Sequence, residues 1–207
     1  MTAKFMVCAV PIQASPEDLL AQLERKDWYL PAVGKWAPHR LREWLAVRVL
    51  LKRLTGEEKE IKYLPSGKPY LADNSFFIGI SHTKNHVAIA LHRELPIAVD
   101  IERIHSRIEK VADRFLTADE AQQISTAQRL VHLLLHWSAK ESLYKLLDIP
   151  TLDLQAHLHI HPFEPQSDGI ASFTAHETFS PHRQTFTVHY QLTNDFVMTW
   201  IISDKRD

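Results

Sequence analysis

Apolar residues recur at intervals of three and four between positions 130 and 147, which predicts a long helix with one buried side. The buried side is formed by leucines: Leu130, Leu133, Leu134, Leu143, Leu146 and Leu147. Similar spacing from Pro38 to Leu54 predicts a second amphipathic helix. A shorter helix is predicted from Ser15, a good N-cap residue, to about Arg25. Residues 27–35 contain Pro and Gly, and we predict a loop there.

Short extended runs separated by turn residues predict β-strands on both sides of the central helical region. The predicted strands cover residues 4–12, 70–71, 76–81, 87–91, 97–101, 154–160, 170–173, 184–191 and 196–202. We expect Thr193-Asn194-Asp195 to join the last two strands as a hairpin. Residues 107–114 are predicted to be helical, and Thr117 begins a further helix of the capping-box type. This order predicts an α+β fold with two halves, residues 1–95 and 96–207.

The composition is that of an ordinary globular protein, and its formal net charge of −1 gives no support to general nucleic-acid binding. Residues 1–98 carry 14 Lys and Arg and 10 Asp and Glu, whereas residues 99–207 carry 10 Lys and Arg and 15 Asp and Glu. This uneven distribution of charge suits a ligand that is polyanionic at one end and metal-bound at the other. The single cysteine, Cys8, fits a reducing compartment, so we expect a cytoplasmic protein. Apolar runs such as Phe5–Ile12 are shorter than the ~18–20 residues that span a bilayer, and Pro11 interrupts a possible secretory signal.

Acidic side chains interrupt the apolar pattern at two places. Asp100 and Glu102 lie two apart on a predicted strand, so both project from one face. Trp137, Glu141 and Lys145 follow one another at intervals of four on the long helix and also share a face. Each pattern has an ordinary structural explanation, since acids protect exposed strand edges and a Glu–Lys pair stabilises a helix surface. Together, three carboxylates beside a lysine suit Mg²⁺ and predict a phosphoryl-transfer or phosphate-cleaving site.

Several other polar residues are candidates for binding. Lys68 lies in a predicted turn and His82 at the end of a predicted strand, although a turn cation and a satisfied imidazole are the ordinary explanations. The glycine spacing before Lys68 is not that of a Walker A loop. His157, His159 and His161 alternate as zinc ligands on a strand can, but no fourth ligand is evident and we interpret them as an exposed strand face.

A set of motifs resembles, in order and spacing, that of the Sfp-type 4′-phosphopantetheinyl transferases: GKPYL (67–71), ISHT (80–83), VDIE (99–102), RFLTADE (114–120) and WSAKESLYK (137–145). The resemblance implies a monomer of two similar α+β halves packed as a pseudo-dimer, with coenzyme A in the cleft between them and Mg²⁺ on its pyrophosphate. It also implies the activity. Such enzymes transfer the phosphopantetheine arm of coenzyme A to a serine of an apo carrier protein and release adenosine 3′,5′-bisphosphate.

The resemblance also assigns roles to the charged residues. It implies that Asp100, Glu102 and Glu141 bind the metal and that Lys145 contacts the phosphates. The serine proton would be taken either by Glu141 or by a metal-bound water.

Further residues are implied to bind coenzyme A: Arg40, Lys68, Ser81, His82, Lys140 and Lys145. Arg40 resembles the family's helix arginine near the 3′-phosphate, and Arg42 and Arg48 are alternatives for that role. Ala98 stands where the family usually has Gly, and its methyl group disfavours a positive φ or a close backbone approach at that position.

Two other functions use the same residues. The first is a Mg²⁺-dependent phosphohydrolase that needs no carrier protein, and the second is a non-catalytic module that binds coenzyme A or a carrier. Carrier proteins are commonly acidic, and the family resemblance makes residues 103–130 a candidate docking region. The sequence does not distinguish fatty-acid, polyketide, nonribosomal peptide or lysine biosynthesis as the pathway served.

Overall fold

The computed structural model describes residues 4–167 and 169–204, which form a mixed α+β fold with antiparallel sheets. The chain divides into two compact units between Glu94 and Leu95. Among the described residues, no helix has the length and apolar character needed to cross a membrane.

The unit before Leu95 combines one long helix with two small antiparallel sheets. Its elements are β1 (Phe5–Pro11), α1 (Pro16–Ala21), α2 (Lys26–Tyr29), a 3₁₀ turn (Leu30–Ala32), α3 (Pro38–Thr55), β2 (Ile61–Tyr63), β3 (Pro69–Leu71), β4 (Phe77–Thr83) and β5 (His86–His92). The strand order is β1-β5-β4 in one sheet, and β2 pairs with β3 in the other. Helix α3 packs on β5 and ends at Gly56, whose φ of +80° provides the left-handed C-cap.

The unit after Glu94 contains a five-stranded sheet covered by the longest helix. Its elements are β6 (Ile97–Arg103), a 3₁₀ segment (Ser106–Arg114), α4 (Ala118–Gln123), α5 (Arg129–Leu147), α6 (Leu154–His157), β7 (Leu158–Ile160), β8 (Ile170–Glu177), β9 (Thr185–Leu192) and β10 (Phe196–Ile202). The strand order is β6-β10-β9-β8-β7. Helix α5 packs on β6 and β10, and hydroxyl groups of Ser138 and Ser142 lie 2.9 and 2.8 Å from Thr199 Oγ1, which fixes the helix on β10.

Several sequence predictions are confirmed in detail. Leu133, Leu134 and Leu143 are fully buried, so the leucine spacing identified the buried side of α5. Thr117 caps α4 in a capping box with Glu120, and β9 and β10 form the expected antiparallel pair. Ala98 is buried in β6 and is not among the described residues with a positive φ.

Two local predictions are wrong. Residues 27–35 contain α2 and the 3₁₀ turn, because Tyr29 is buried and its hydroxyl donates to Glu58 at 3.1 Å. The predicted strand 154–160 begins as α6, because the Asp153 carboxylate accepts hydrogen bonds from the first backbone N–H groups of a helix. His157 therefore ends a helix, and it does not share a strand face with the next two histidines.

Two histidines of α5 are buried in the core of this unit. His132 and His136 are each 1% exposed, and both rings pack against Phe163. The Nδ1 atom of His136 donates to the backbone carbonyl of His132 at 3.0 Å. Burial lowers the pKa of His136 to about 4, since the apolar surroundings disfavour the imidazolium form.

We expect this histidine to make stability fall as the pH decreases from about 6.5 to about 4, because the unfolded chain takes up a proton that the folded chain resists. The shift corresponds to about 3 kcal/mol of unfolding free energy. Urea unfolding at pH 7.5 and pH 4.5 measures the loss, which should be smaller for His136→Leu than for the wild type. The control His182→Gln, at an exposed position, should keep the wild-type pH dependence. An undiminished loss in His136→Leu would contradict the prediction.

Candidate active site

Asp100 and Lys145 meet where α5 packs on β6. The Nζ atom of Lys145 donates to Oδ1 of Asp100 at 2.6 Å and to the backbone carbonyl of Val99 at 3.4 Å. Asp100 is only 4% exposed, whereas one third of the Lys145 side chain is exposed. The packing therefore brings a predicted metal ligand into contact with the predicted phosphate-binding lysine.

Glu102 is held by the tryptophan of the same helix face. The indole Nε1 of Trp137 donates to Oε1 of Glu102 at 2.7 Å, and the Trp137 ring packs edge-on against Phe115. Burial and, to a lesser degree, the negative charge of Asp100 raise the pKa of Glu102, which is about 7. The Trp137 hydrogen bond and the Lys145 charge oppose this increase. This indole contact was not predicted, although the shared spacing of Trp137, Glu141 and Lys145 pointed to the face concerned.

Glu141 belongs to the same group of charges. Burial raises its pKa, the charge of Asp100 raises it further, and the charge of Lys145 opposes both. Glu141 in turn contributes to the raised pKa of Glu102. The charges of Asp100 and Glu141 therefore disfavour the ionised form of Glu102, and the charge of Asp100 disfavours that of Glu141. A nearby cation would relieve this repulsion.

The donor chemistry of these acids fits Mg²⁺, which prefers carboxylate oxygens and leaves positions for water and phosphate. As they stand, the described residues include no group of three or more His, Cys, Asp or Glu side chains arranged to hold a metal ion. Asp100 has Lys145 as its ion-pair partner, and Glu102 accepts the Trp137 hydrogen bond. The magnesium site accordingly stays a prediction.

Lys140 does not lie where coenzyme A could reach it. Its side chain is fully buried, and Nζ donates to Glu120 Oε2 at 2.8 Å and to the Phe115 carbonyl at 2.6 Å. Burial lowers the pKa of Lys140. Burial alone would raise the pKa of Glu120, but the Lys140 charge and hydrogen bonds from backbone N–H groups keep the Glu120 pKa below its ordinary value. Lys140 and Glu141 are adjacent in the helix and point to different sides. We therefore remove Lys140 from the predicted binding residues.

The unit before Leu95 contains a separate candidate binding site, a cavity of about 730 Å³. It is lined by Trp36, His39, Arg40, Glu43, Trp44, Val47, Arg48, Tyr63, Gly67, Pro69, Ile80 and His82. The Arg40 guanidinium lies 5.1 Å from the centre of the Trp36 ring, and that of Arg48 lies 3.8 Å from the Trp44 ring. The cavity thus combines aromatic faces with positive charge, a combination that suits a nucleotide.

The predicted coenzyme A residues of this unit are placed differently from one another. Arg40 and His82 line the cavity, and His82 Nδ1 lies 3.5 Å from a Glu43 carboxylate oxygen. Ser81 is buried between Ile80 and His82 in β4, so its side chain points to the opposite face of the strand, and it does not line the cavity. Lys68 lies in the turn between β2 and β3 and is not a lining residue either.

The other lining residues were not evident from sequence patterns. Trp44 lies within the apolar spacing that predicts α3, Trp36 follows the residues predicted as a loop, and Tyr63 lies in a strand that the sequence pattern does not predict. Arg48 was considered only as an alternative to Arg40. It is buried, and its guanidinium donates to the Trp44 carbonyl at 3.1 Å.

A protein-family model described as the 4′-phosphopantetheinyl transferase superfamily matches residues 96–201, just over half of the chain. The matched region contains Asp100, Glu102, Glu141 and Lys145. A comparison with curated proteins gave no match.

Proposed function

The chain belongs to the 4′-phosphopantetheinyl transferase superfamily and is thus a transferase, and on that premise we propose that it moves the phosphopantetheine arm of coenzyme A to a serine of an apo carrier protein. The contact between Asp100 and Lys145, beside the mutually repelling carboxylates of Glu102 and Glu141, is the observation that supports this reaction best. The second product is adenosine 3′,5′-bisphosphate. The family implies a carrier protein and coenzyme A as partners.

In the proposed site, Asp100, Glu102 and Glu141 would hold Mg²⁺, which supplies positive charge to the pyrophosphate oxygens. Glu141 accepts the proton of the serine hydroxyl while the serine oxygen attacks the β-phosphorus of coenzyme A. The bond from that phosphorus to the bridging oxygen breaks, and adenosine 3′,5′-bisphosphate leaves. The Lys145 ammonium group stabilises the negative charge that develops on the phosphates.

Trp137 holds one carboxylate oxygen of Glu102 and so limits the orientations of that side chain. We assign the nucleotide of coenzyme A to the cavity lined by Arg40 and His82, where aromatic rings would contact the base and cations the 3′-phosphate.

One mass measurement tests the function. The purified chain is mixed with coenzyme A, Mg²⁺ and a panel of apo carrier proteins, and the carriers are weighed by mass spectrometry. A gain of one phosphopantetheine group supports the proposal, and Asp100→Asn should abolish it. Adenosine bisphosphate released without a carrier adduct would instead indicate a phosphohydrolase. Coenzyme A binding without either product would indicate a non-catalytic module.

The assignment of the nucleotide cavity predicts a selective effect of Arg40. We expect Arg40→Ala to weaken coenzyme A binding about 10-fold, because it removes a charge-assisted hydrogen bond to the 3′-phosphate. Binding of 3′-dephospho-coenzyme A should change much less. Isothermal titration calorimetry with both ligands makes the comparison. Arg42→Ala is the matched control, since Arg42 lies on the same helix and does not line the cavity. A larger loss in Arg42→Ala would reassign the 3′-phosphate contact.

A further inference from the structure

The ammonium group of Lys145 forms an ion pair with Asp100, a carboxylate that the proposed function assigns to the cation. Its Nζ atom is 2.6 Å from Asp100 Oδ1, the distance of a charge-assisted hydrogen bond. Because Asp100 is 4% exposed, little water is available to screen this ion pair. Lys145 is therefore the counter-ion of Asp100 in the structure.

We propose that Lys145 is an internal competitor of the divalent cation, and that cation binding to Asp100 releases its ammonium group for the pyrophosphate of coenzyme A. This inference rests on the proposed function, because it takes Asp100 as a cation ligand. Lys145 then has two successive partners, first the Asp100 carboxylate and afterwards the substrate's phosphates.

Charge repulsion and the flexibility of the Lys145 side chain account for the release. Mg²⁺ held by the Asp100 carboxylate would bring two positive charges next to the Lys145 ammonium group, which lies 2.6 Å from the same carboxylate, and would repel it. The lysine side chain has a flexible four-carbon stem and one third of it is exposed, so the ammonium group is able to move without disturbing the core. Helix α5 itself stays anchored to β10 through Ser138 and Ser142.

The competition has a measurable consequence that a purely catalytic lysine would not have. Coupling between two binding events is reciprocal, so a lysine that the cation displaces must also weaken cation binding. Removing the amino group should then tighten the binding of Mg²⁺ while it reduces transfer.

The first test is calorimetric titration of the full chain with Mg²⁺ alone, in the absence of coenzyme A and carrier. Lys145→Met keeps the length of the side chain and removes its charge, and we expect it to bind Mg²⁺ at least 10-fold more tightly than the wild type. Arg103→Met controls for the general loss of one nearby positive charge. Arg103 is exposed in β6 and projects from the strand face opposite Asp100, so its loss should change the affinity less than threefold.

The second test follows the amino group directly. Limited labelling with an amine-acylating reagent, followed by peptide mass spectrometry, reports how available each lysine is. Mg²⁺ should increase the labelling of Lys145 several-fold and leave that of Lys110, which is exposed, unchanged.

The outcomes separate this inference from the function on which it rests. If Lys145→Met binds Mg²⁺ no more tightly than the wild type does, or if Mg²⁺ leaves the labelling of Lys145 unchanged, the competition is refuted while the transferase assignment stands. If neither protein binds Mg²⁺, the proposed metal site fails and the inference fails with it.

Discussion

Glu141→Gln should lower the rate of phosphopantetheine transfer by about 10³-fold or more. The substitution keeps the size and shape of the side chain but removes the proton acceptor, and general base catalysis alone typically contributes ~10²–10⁴-fold. It also removes one of the three carboxylates proposed to bind Mg²⁺, so the two losses add to each other. The measurement is kcat/KM for transfer from coenzyme A to an apo carrier at saturating Mg²⁺.

The structure suggests that the variant will fold, because Glu141 is only partly buried and its pKa is raised by burial rather than lowered by a strong partner. Thermal unfolding should therefore differ little from that of the wild type. Glu17→Gln, the same change at an exposed position in α1, is the matched control and should keep full activity. Near-normal turnover by Glu141→Gln would remove Glu141 from both roles. Normal Mg²⁺ affinity with lost turnover would leave it as the base alone.

The parts of the fold that sequence patterns predicted best are those set by local periodicity and capping. The leucine spacing located α5, and Thr117 with Glu120 three residues later located the start of α4. The same helical period placed Trp137, Glu141 and Lys145 on one face. What the period could not show is which strand that face would meet, because the contacting residues Asp100 and Lys145 are 45 positions apart in the sequence.

The failures have a common physical origin in partners that are distant along the chain. Tyr29 lies in a helix because its side chain is buried and its hydroxyl donates a hydrogen bond to Glu58. No pattern within residues 27–35 reveals that partner. The cavity lined by Arg40 and His82 likewise draws its residues from Trp36 just before α3, from α3 itself, from the β2–β3 hairpin and from β4. Aromatic residues that line it, such as Trp44, resemble ordinary core positions when only the helix spacing is visible.

Lys140 is the most instructive of these failures, because fully buried lysines are rare and a lysine next to a glutamate that is proposed to be catalytic invites a binding role. Its actual partner, Glu120, was visible in the sequence as the capping-box residue of α4. The Glu120 carboxylate accepts hydrogen bonds from the Lys140 ammonium group, from Thr117 N and from Ile160 N, each at 2.8 Å. This buried pair therefore connects α5, the start of α4 and the sheet.

Lys140→Ala should consequently destabilise the fold by about 3–5 kcal/mol, because it leaves the Glu120 carboxylate buried without its counter-ion. Urea unfolding measures the loss, and Lys110→Ala at an exposed position should change stability by less than about 0.5 kcal/mol. The double variant Lys140→Met with Glu120→Gln tests the cause. It removes both charges and keeps the volume, so it should recover at least half of the stability lost in Lys140→Ala. A stable Lys140→Ala protein with weakened coenzyme A binding would instead restore the ligand-binding role that the buried ion pair argues against.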